Sequence, residues 1–274
     1  MTEEFDSSTW AGDKEENSKR LRSLIQQGAK VAGGAVGAAL GFFAAGPAGA
    51  AALGAAGTMA SEALAHIGED VSQRMLGPRE RVRVGGVIAL TAQGIQDRLR
   101  AGKQTRSDGF FDEREDGRSN ADEIAESIIT KAQRESEEKK LPYMSKMLAN
   151  IAFETWVTLP MAQQLAKTAE VLTFRQFCIL RSTVVIIQNR HLVRQSSYRT
   201  QTNFPSPLLD TLYEIHDLVQ RGLITIDGVA ALGLTDIEPS KLKPQGLGVY
   251  LYNLMELDDM PHADVRPILE VLKT

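Results

Sequence analysis

The chain has 274 residues, of which 43% are hydrophobic and 24% are charged, and its formal net charge is −4. This composition predicts a mostly globular protein and excludes one that is disordered throughout. The acidic balance, with a pI near 5.7, argues against a protein that binds nucleic acid through bulk positive charge. A single cysteine, Cys178, excludes a disulfide within the chain and a zinc site built from cysteines, which fits a reducing compartment.

Residues 1–27 form the first of four predicted segments. Residues 1–17 are polar and carry six acidic side chains, so we expect a disordered acidic tail. A secretory signal would begin with basic residues followed by an apolar run, and the first residues show neither feature. We therefore expect the protein to stay in the cytoplasm, with any membrane contact made by the segment that follows.

Residues 28–76 contain the most unusual composition in the chain. From Val31 to Ser61 there is no charged side chain, and 13 of these 31 residues are alanine and eight are glycine. Small residues recur every four positions, which on a helix places them along one face and lets two helix backbones approach closely. The pattern has two series, Gly33, Gly37 and Gly41 and then Gly46, Ala50 and Gly54, and its glycines are here called the glycine zipper.

The glycine zipper predicts a segment that self-associates and inserts into a membrane. Basic residues precede it and acidic residues follow it, which favours a cytoplasmic N-terminal side if it enters a bilayer. Pro47 interrupts the run, and two helices of about 15 residues would each reach only about 22 Å, short of a hydrocarbon core of about 30 Å. A bent hairpin, a re-entrant insertion and one span from Ala48 to His66 remain open. Two interpretations without lipid also remain open, namely a packed helix pair and a low-complexity linker.

Residues 77–200 predict a helical body. Apolar residues at helical spacing, beginning at Val84, predict a core-facing helix over residues 79–101. The charged loop that follows contains Phe110 and Phe111. Adjacent aromatic residues in such a loop favour attachment of the loop to the core, with anchoring to a partner or a lipid interface as the alternative.

Capping residues and prolines divide the rest of the body into helices. Ser119 is expected to cap a helix that continues to about Lys140. Pro142 predicts the start of the next helix, which carries a methionine-containing core stripe and is expected to end at Pro160. Thr173 is expected to cap a later helix.

Residues 201–274 predict a small C-terminal module of helices with a short strand. A helix over about 207–221 is expected to end at Gly222, a β-like LITI run follows, and two more helices are expected near 247–257 and 263–273. This order is compatible with a winged-helix-like module. From residue 202 onward there are eleven acidic residues against five basic ones, which argues against DNA binding and favours contact with a protein.

A run of basic residues without a single acid lies between Glu170 and Asp210. Two interpretations compete: these residues pair with acids within the fold or between subunits, or they bind an anionic partner such as lipid or nucleic acid. Because residues 112–138 carry ten acidic side chains against four basic ones, pairing within the helical body is favoured. The candidates for binding an anionic partner are Arg175, Arg181, Arg190, Arg194 and Arg199.

No sequence motif indicates catalysis, a cofactor or a metal ion. The chain lacks a phosphate-binding GxxxxGK[ST] loop, a zinc-binding HExxH and a GxSxG nucleophile motif. Its four histidines are scattered without metal-ligand spacing, and Cys178 lies in the apolar run TFRQFCIL, which predicts a buried side chain and no nucleophile. We therefore expect no enzymatic activity, no cofactor and no metal site.

The layout of the body and the C-terminal module resembles a known family. The resemblance rests on three successive stretches, EEKKLPYMSKMLANIAFE, AEVLTFRQFCIL and LLDTLYEIHDLVQRGLI, which come before an apolar final module. Their order over roughly residues 120–260 resembles the bacterial abortive-infection alpha (Abi-alpha) proteins, to which the glycine zipper is an addition. The resemblance implies a bacterial origin and a role in phage resistance, and it supplies no catalytic residues.

Together these features predict a mainly α-helical effector that acts on membranes without catalysis, in bacterial phage defence. The body and the C-terminal module would shelter the glycine zipper until a trigger releases it, and several copies would then associate and perturb the inner membrane. Two alternatives remain open. One is a water-soluble interaction protein whose zipper packs subunits together, and the other is a regulator that binds nucleic acid.

Overall fold

The computed structural model describes residues 77–228 and 232–274 of the chain. This part is mainly helical, with eight α-helices and one two-stranded sheet, which confirms the expected mainly α class. The segments expected at residues 1–27 and 28–76, including the glycine zipper, lie outside the described residues. The chain divides into two compact units after Ala166, here called the first and the second unit.

The first unit is built from helices that pack on α1. Its helices are α1 (Pro78–Arg100), α2 (Asn120–Arg134), α3 (Leu141–Ile151) and the first part of α4 (Leu159–Val171). Helix α1 packs mainly on α3 and also on α2. Val84, Val87 and Ile88 of α1 are buried, which confirms the core-facing side that the apolar spacing predicted. The close approach of α1 to α3 depends on Gly94, since a Cβ atom there would lie 3.1 Å from Cβ of Ala149.

Two predictions about this unit are confirmed at the level of single residues. The Oγ atom of Ser119 accepts a hydrogen bond from the backbone N–H of Asp122 at 3.1 Å, and the Asp122 carboxylate accepts one from the backbone N–H of Ser119 at 2.8 Å. This reciprocal pair is the expected capping box of α2. The predicted stripe of α3 is also in the core, because Met144, Met147 and Ile151 are buried.

Two predicted helix ends are wrong. Helix α2 ends at Arg134 and does not continue to Lys140, because Glu135 adopts an extended backbone and a short 3₁₀ turn leads into α3. Helix α3 ends at Ile151, well before Pro160. Pro160 instead lies in the first turn of α4, where a residue without a backbone N–H is tolerated because that group would have no partner within the helix.

The second unit is arranged around the buried helix α5. Its elements are α5 (Phe174–Gln188), α6 (Ser206–Gln220), β1 (Ile224–Ile226), β2 (Leu242–Pro244), α7 (Leu247–Leu254) and α8 (His262–Val271). Helix α5 contacts β2, α8 and α6, and side chains on several of its faces are buried, among them Phe177 and Leu180. Strands β1 and β2 are antiparallel, with Ile226 opposite Leu242.

The start of the second unit differs from the expected domain boundary. The sequence placed the boundary between residues 200 and 201, whereas the structure divides after Ala166. Helix α5 packs on β2 and α8, so residues 167–200 belong with the C-terminal elements. Two local predictions are confirmed here: α6 ends where Gly222 adopts a left-handed backbone with φ of 67°, and the LITI run contains strand β1.

Candidate functional site

The sequence predicted two candidate sites, the glycine zipper and a group of five arginines, and the structure describes only the arginines. The zipper residues Gly33, Gly37, Gly41, Gly46 and Gly54 lie outside the described residues. Within residues 77–228 and 232–274, no helix is both long and apolar enough to cross a bilayer. All five candidate arginines are described, and they lie in the second unit, on α5 or between α5 and α6.

Arg175 lies in the first turn of α5 and connects it to α6. Its Nε atom is 2.5 Å from a carboxylate oxygen of Glu214, and its guanidinium also donates to the hydroxyl of buried Thr211. Thr173 caps the same helix end as predicted, because its Oγ accepts a hydrogen bond from the backbone N–H of Gln176 at 3.1 Å. Burial raises the pKa of Glu214, and the positive charge of Arg175 opposes this rise. These contacts fix α6 to the beginning of α5.

Arg181, in the middle of α5, belongs to a cluster of three polar side chains. Its Nη1 atom donates to the hydroxyl of Tyr252 at 2.9 Å and lies 3.0 Å from Oδ1 of Asp258. The Tyr252 hydroxyl in turn donates to the same carboxylate oxygen at 2.7 Å. Partial burial, aided by the bond to Asp258, raises the pKa of Tyr252 to about 12. The hydroxyl therefore stays protonated at neutral pH and holds α7 and the turn after it against α5.

Arg194 and Arg199 fasten the segment between α5 and α6. Nη1 of Arg194 donates to the backbone carbonyl of Thr274 at 2.7 Å, and its guanidinium carbon lies 4.7 Å from the ring centre of buried Tyr198, a cation–π contact. Nε of Arg199 lies 2.8 Å from a carboxylate oxygen of Asp236. Both arginines therefore have partners that hold the fold together.

Arg190 differs from the other four arginines. It is exposed in a short turn after α5, and within the described part of the chain it has no ion pair with a carboxylate. The turn contacts residues 239–241, which brings Lys241 and Lys243 to the same part of the surface. Nζ of Lys243 is 2.8 Å from Oδ1 of Asp227, whose backbone N–H donates to the carbonyl of Lys241 at 2.9 Å. We call Arg190, Lys241 and Lys243 the cationic cluster.

The observed partners of the arginines are acids of the second unit. Three of the five arginines have such partners, which are Glu214 of α6, Asp236 between β1 and β2, and Asp258 after α7. The acidic stretch 112–138, which the sequence favoured as the partner, has local ion pairs in the first unit. There, Glu123 lies 3.0 Å from Arg114 and Glu126 lies 2.6 Å from Arg118.

A buried arginine in the first unit is absent from the predictions. Arg106 donates to both carboxylate oxygens of Asp108, at 2.8 and 2.5 Å, and to the carbonyl of Val157 at 2.8 Å. Its guanidinium carbon lies 4.0 Å from the ring centre of Phe110. Phe110 is buried, which confirms that the aromatic pair fixes its loop to the core. An arginine in a charged loop is usually exposed, so the sequence gave no indication that Arg106 would be buried.

A second buried charge explains where α2 ends. Lys140 is 1% exposed and forms an ion pair with the buried carboxylate of Glu135, the residue that closes α2. The same carboxylate accepts the backbone N–H of Glu137 at 2.9 Å, and the Glu135 carbonyl accepts Nη1 of Arg83 at 2.7 Å. Removal of one partner of such a pair leaves a buried charge without compensation, so the pair holds the junction between α2 and α3.

The titratable residues of the described chain form no grouping that indicates a metal site. Within residues 77–228 and 232–274, no group of histidine, cysteine and acidic residues could hold a metal ion. Cys178 is buried, as its apolar helix predicted. His191 and His262 are exposed on separate elements, His216 is half-buried on α6, and His66 lies outside the described residues.

No protein-family model, curated protein or solved structure matches this chain. The resemblance to the abortive-infection alpha proteins stays a prediction. The described residues define a mainly helical protein in which many charged side chains form ion pairs within one or the other of its two units.

Proposed function

We propose that this protein is a membrane-active effector that acts without catalysis in bacterial phage defence. The observation that carries the proposal is the uncharged stretch from Val31 to Ser61, with Gly33, Gly37 and Gly41 at four-residue spacing. On a helix this spacing forms a smooth face on which a second helix packs closely. In lipid, where tails are as apolar as the side chains, such packing is a principal source of helix association. Copies of the segment then associate and perturb the inner membrane.

The first unit supports this role as a folded body next to the zipper. Helix α1 begins at Pro78, directly after residues 28–76. Its first turn is fixed by Glu80, whose carboxylate accepts the backbone N–H of Gly77 at 2.7 Å. Because α1 packs on α2 and α3, movement of the zipper does not require this body to unfold. We propose that the helical units shelter the zipper before the trigger and remain folded after its release.

We infer that the second unit senses the trigger through a winged-helix-like module. The order of α6, the turn at Gly222, strands β1 and β2, and helix α7 supports this interpretation. The eleven acidic residues against five basic ones from residue 202 onward disfavour a long phosphate backbone as ligand. The trigger is then a protein or another molecule that lacks dense negative charge.

Leakage of dye from liposomes tests the effector function. The test variant Gly37→Leu/Gly41→Leu places two bulky side chains on the packing face. The matched control Ala35→Leu/Ala39→Leu adds the same two leucines at the same spacing on another face of the helix. We expect leakage with the parent and the control and little with the test variant. Equal leakage from all three proteins, or none from the parent, would contradict the proposal.

A second candidate function is subunit assembly without lipid, and one contact in the first unit favours it. Gly94 lets α1 approach α3 so closely that an added Cβ would lie 3.1 Å from Cβ of Ala149. Small residues on a helix therefore already serve close helix packing within this protein. Sedimentation of the full chain without lipid distinguishes the two functions. An oligomer that forms in water, and that the Gly37→Leu/Gly41→Leu variant dissociates, supports assembly.

A further inference from the structure

The first two turns of α1 carry two arginines that form no ion pair within residues 77–228 and 232–274. Arg79 is exposed and Arg83 is half-buried, and residues four positions apart are neighbours on a helix surface. Nη1 of Arg83 donates to the carbonyl of Glu135 at 2.7 Å, whereas its Nε atom is buried and has no hydrogen-bond partner. Like charges at this spacing repel each other, and the first turn of a helix favours an anion over a cation such as Arg79. An anion bound between the two side chains relieves both effects.

The last turn of α2 brings a third arginine to the same end of the first unit. Nε2 of Gln133 donates to Oε1 of Glu80 at 3.3 Å, which joins the last turn of α2 to the first turn of α1. Arg134, the next residue, is exposed and has no ion pair in the described part of the chain. The pKa of Glu80 is lowered first by the hydrogen bond from the backbone of Gly77 and also by the charges of Arg83 and Arg134, so both guanidinium groups lie near this carboxylate. We call three residues the junction arginines, and they are Arg79, Arg83 and Arg134.

The carboxylates around the junction arginines already have other partners. Oε2 of Glu80 accepts the backbone N–H of Gly77 at 2.7 Å, and the carboxylate of Glu135 pairs with buried Lys140. The turn between α2 and α3 adds two acids and one base, which are exposed Glu137, Glu138 and Lys139. With Lys140 and the three arginines, the cations still exceed the carboxylates at this end of the unit.

We propose that the junction arginines bind the phosphate group of an anionic lipid headgroup. A guanidinium donates from a planar fork that fits two phosphate oxygens, and Arg79 and Arg134 are exposed to a ligand at the surface. Only residues 62–76 separate the uncharged stretch from Gly77, so a zipper in the bilayer keeps these arginines close to the headgroups. The inference rests on the proposed membrane function and deepens it, because it names a lipid ligand for the folded body next to the zipper.

Free phosphate shares this chemistry, so the first arm of the test uses inorganic phosphate without lipid. The melting temperature of the full chain is compared in sodium phosphate and in sodium chloride at equal ionic strength, because a ligand that binds only the folded state raises it. The test variant is Arg79→Gln/Arg134→Gln, which removes two exposed side chains and leaves the hydrogen bond of Arg83 in place. We expect phosphate to raise the melting temperature of the parent more than that of the test variant.

A control variant separates this site from a general effect of charge. The control is Arg100→Gln/Lys103→Gln, which removes two exposed cations at the other end of α1. That end lies about 35 Å from the first turn along the 23-residue helix. Phosphate also stabilises proteins in general through exclusion from their surface, and this effect is the same in both variants. We expect the control to respond like the parent.

The second arm of the test measures contact with lipid at the junction arginines. The full chain carries an environment-sensitive dye at Ser136→Cys, an exposed position two residues after Arg134, while buried Cys178 stays unlabelled under native conditions. The comparison label is at Gln104→Cys, an exposed position after the far end of α1. Vesicles of phosphatidylcholine alone and of phosphatidylcholine with phosphatidylglycerol are the probes. We expect a blue shift only at Ser136→Cys and only on the anionic vesicles.

The test variant also predicts how much lipid this response requires. Each cation near an anionic lipid surface strengthens binding about fivefold, so the variant should need roughly 25-fold more lipid for half of the dye response. An equal phosphate effect in all three proteins, an equal dye response at Gln104→Cys, or an unchanged lipid titration in the test variant would overturn the proposal. Tighter binding of a single-stranded oligonucleotide than of anionic vesicles would also overturn it.

The source of the phosphate and the effector function are tested separately. A phosphate effect that is lost only in the test variant, without a dye response on vesicles, would contradict lipid as the source and assign the site to free phosphate. A dye response without leakage contradicts the effector function alone. Leakage without a dye response contradicts only lipid binding by the junction arginines.

Discussion

Substitution of Gly248 by alanine tests the packing that holds the second unit together. A Cβ atom at this position would lie 1.9 Å from the carbonyl oxygen of Leu223 and 2.8 Å from its carbonyl carbon. Both atoms belong to the backbone just before β1, and that backbone is held on both sides. The N–H of Leu223 donates to the carbonyl of Leu218 at 2.9 Å, and its carbonyl accepts the N–H of Gln245 at 2.9 Å. Because no side-chain rotation relieves the clash, α7 must move away from β1.

The cost of this movement follows from the atoms involved. Overpacking of a core costs about 1 to 3 kcal/mol when neighbouring groups can shift, and a clash between backbones lies at or above the upper end. Displacement of α7 also loosens the packing of Leu251 and Leu254, which are both buried. We therefore expect the free energy of unfolding to fall by about 3 kcal/mol or more, and the melting temperature to fall by roughly 10 °C.

Thermal and urea unfolding of the full chain, followed by circular dichroism, measures this change. Gly233→Ala is the matched control, because no atom lies within 4 Å of its added Cβ. Its φ of −155° is an extended backbone that alanine also adopts. The control should change the free energy of unfolding by less than about 0.5 kcal/mol. A Gly248→Ala protein that unfolds together with the parent would refute the close contact between α7 and the backbone before β1.

Three further predictions concern single side chains, each measured by urea unfolding. Ser119→Ala removes the cap of α2 and should lower the free energy of unfolding by about 1 kcal/mol; no loss would contradict the cap. The hydrogen bond from Arg106 holds the pKa of Asp108 below 3.8, so this carboxylate stabilises the fold above that pH and loses its effect as the pH falls further. The stability difference between the parent and Asp108→Asn should therefore shrink on strong acidification. Burial raises the pKa of Glu214 above 4.5. The protonated side chain therefore contributes fully to the free energy of unfolding below pH 4.5, and this contribution is lost as the pH rises through the raised pKa. From neutral pH down to pH 4.5 the parent should therefore gain stability relative to Glu214→Gln, and the opposite trend would contradict the burial of Glu214.

Helix starts and buried faces were predictable because they depend on residues close together in the sequence. Ser119 and Thr173 open helices since a side-chain hydroxyl satisfies a backbone N–H that the helix leaves free, and both are recognisable from the residues around them. The core sides of α1 and α3 follow from apolar spacing in the same way. Such features need no knowledge of what the helix packs against.

The ends of α2 and α3 and the partners of the ion pairs were not predictable, because they depend on contacts outside the helix itself. Helix α2 ends just before Glu135, whose carboxylate pairs with buried Lys140 beyond the turn. The role of Arg106 depends on its contact with the carbonyl of Val157, in the loop between α3 and α4. A run of basic residues indicates positive charge but does not reveal which acids will be its partners.

The two candidate sites were also only partly predictable from the sequence. The spacing of the zipper glycines follows directly from the sequence, and it predicts a packing face without naming what packs there. The cationic cluster is formed by Arg190 together with lysines on and before β2, which come together only through contact between two turns. Residues 202–274 are acidic overall, so their composition gave no indication that these lysines lie beside Arg190.

Fractionation of bacteria that express the full chain tests the central claim most directly. The account predicts that phage challenge moves the chain into the inner-membrane fraction. Gly37→Leu/Gly41→Leu should reduce that fraction, and Ala35→Leu/Ala39→Leu should leave it unchanged. A chain that remains in the aqueous fraction before and throughout the challenge would contradict the membrane role and would favour subunit assembly.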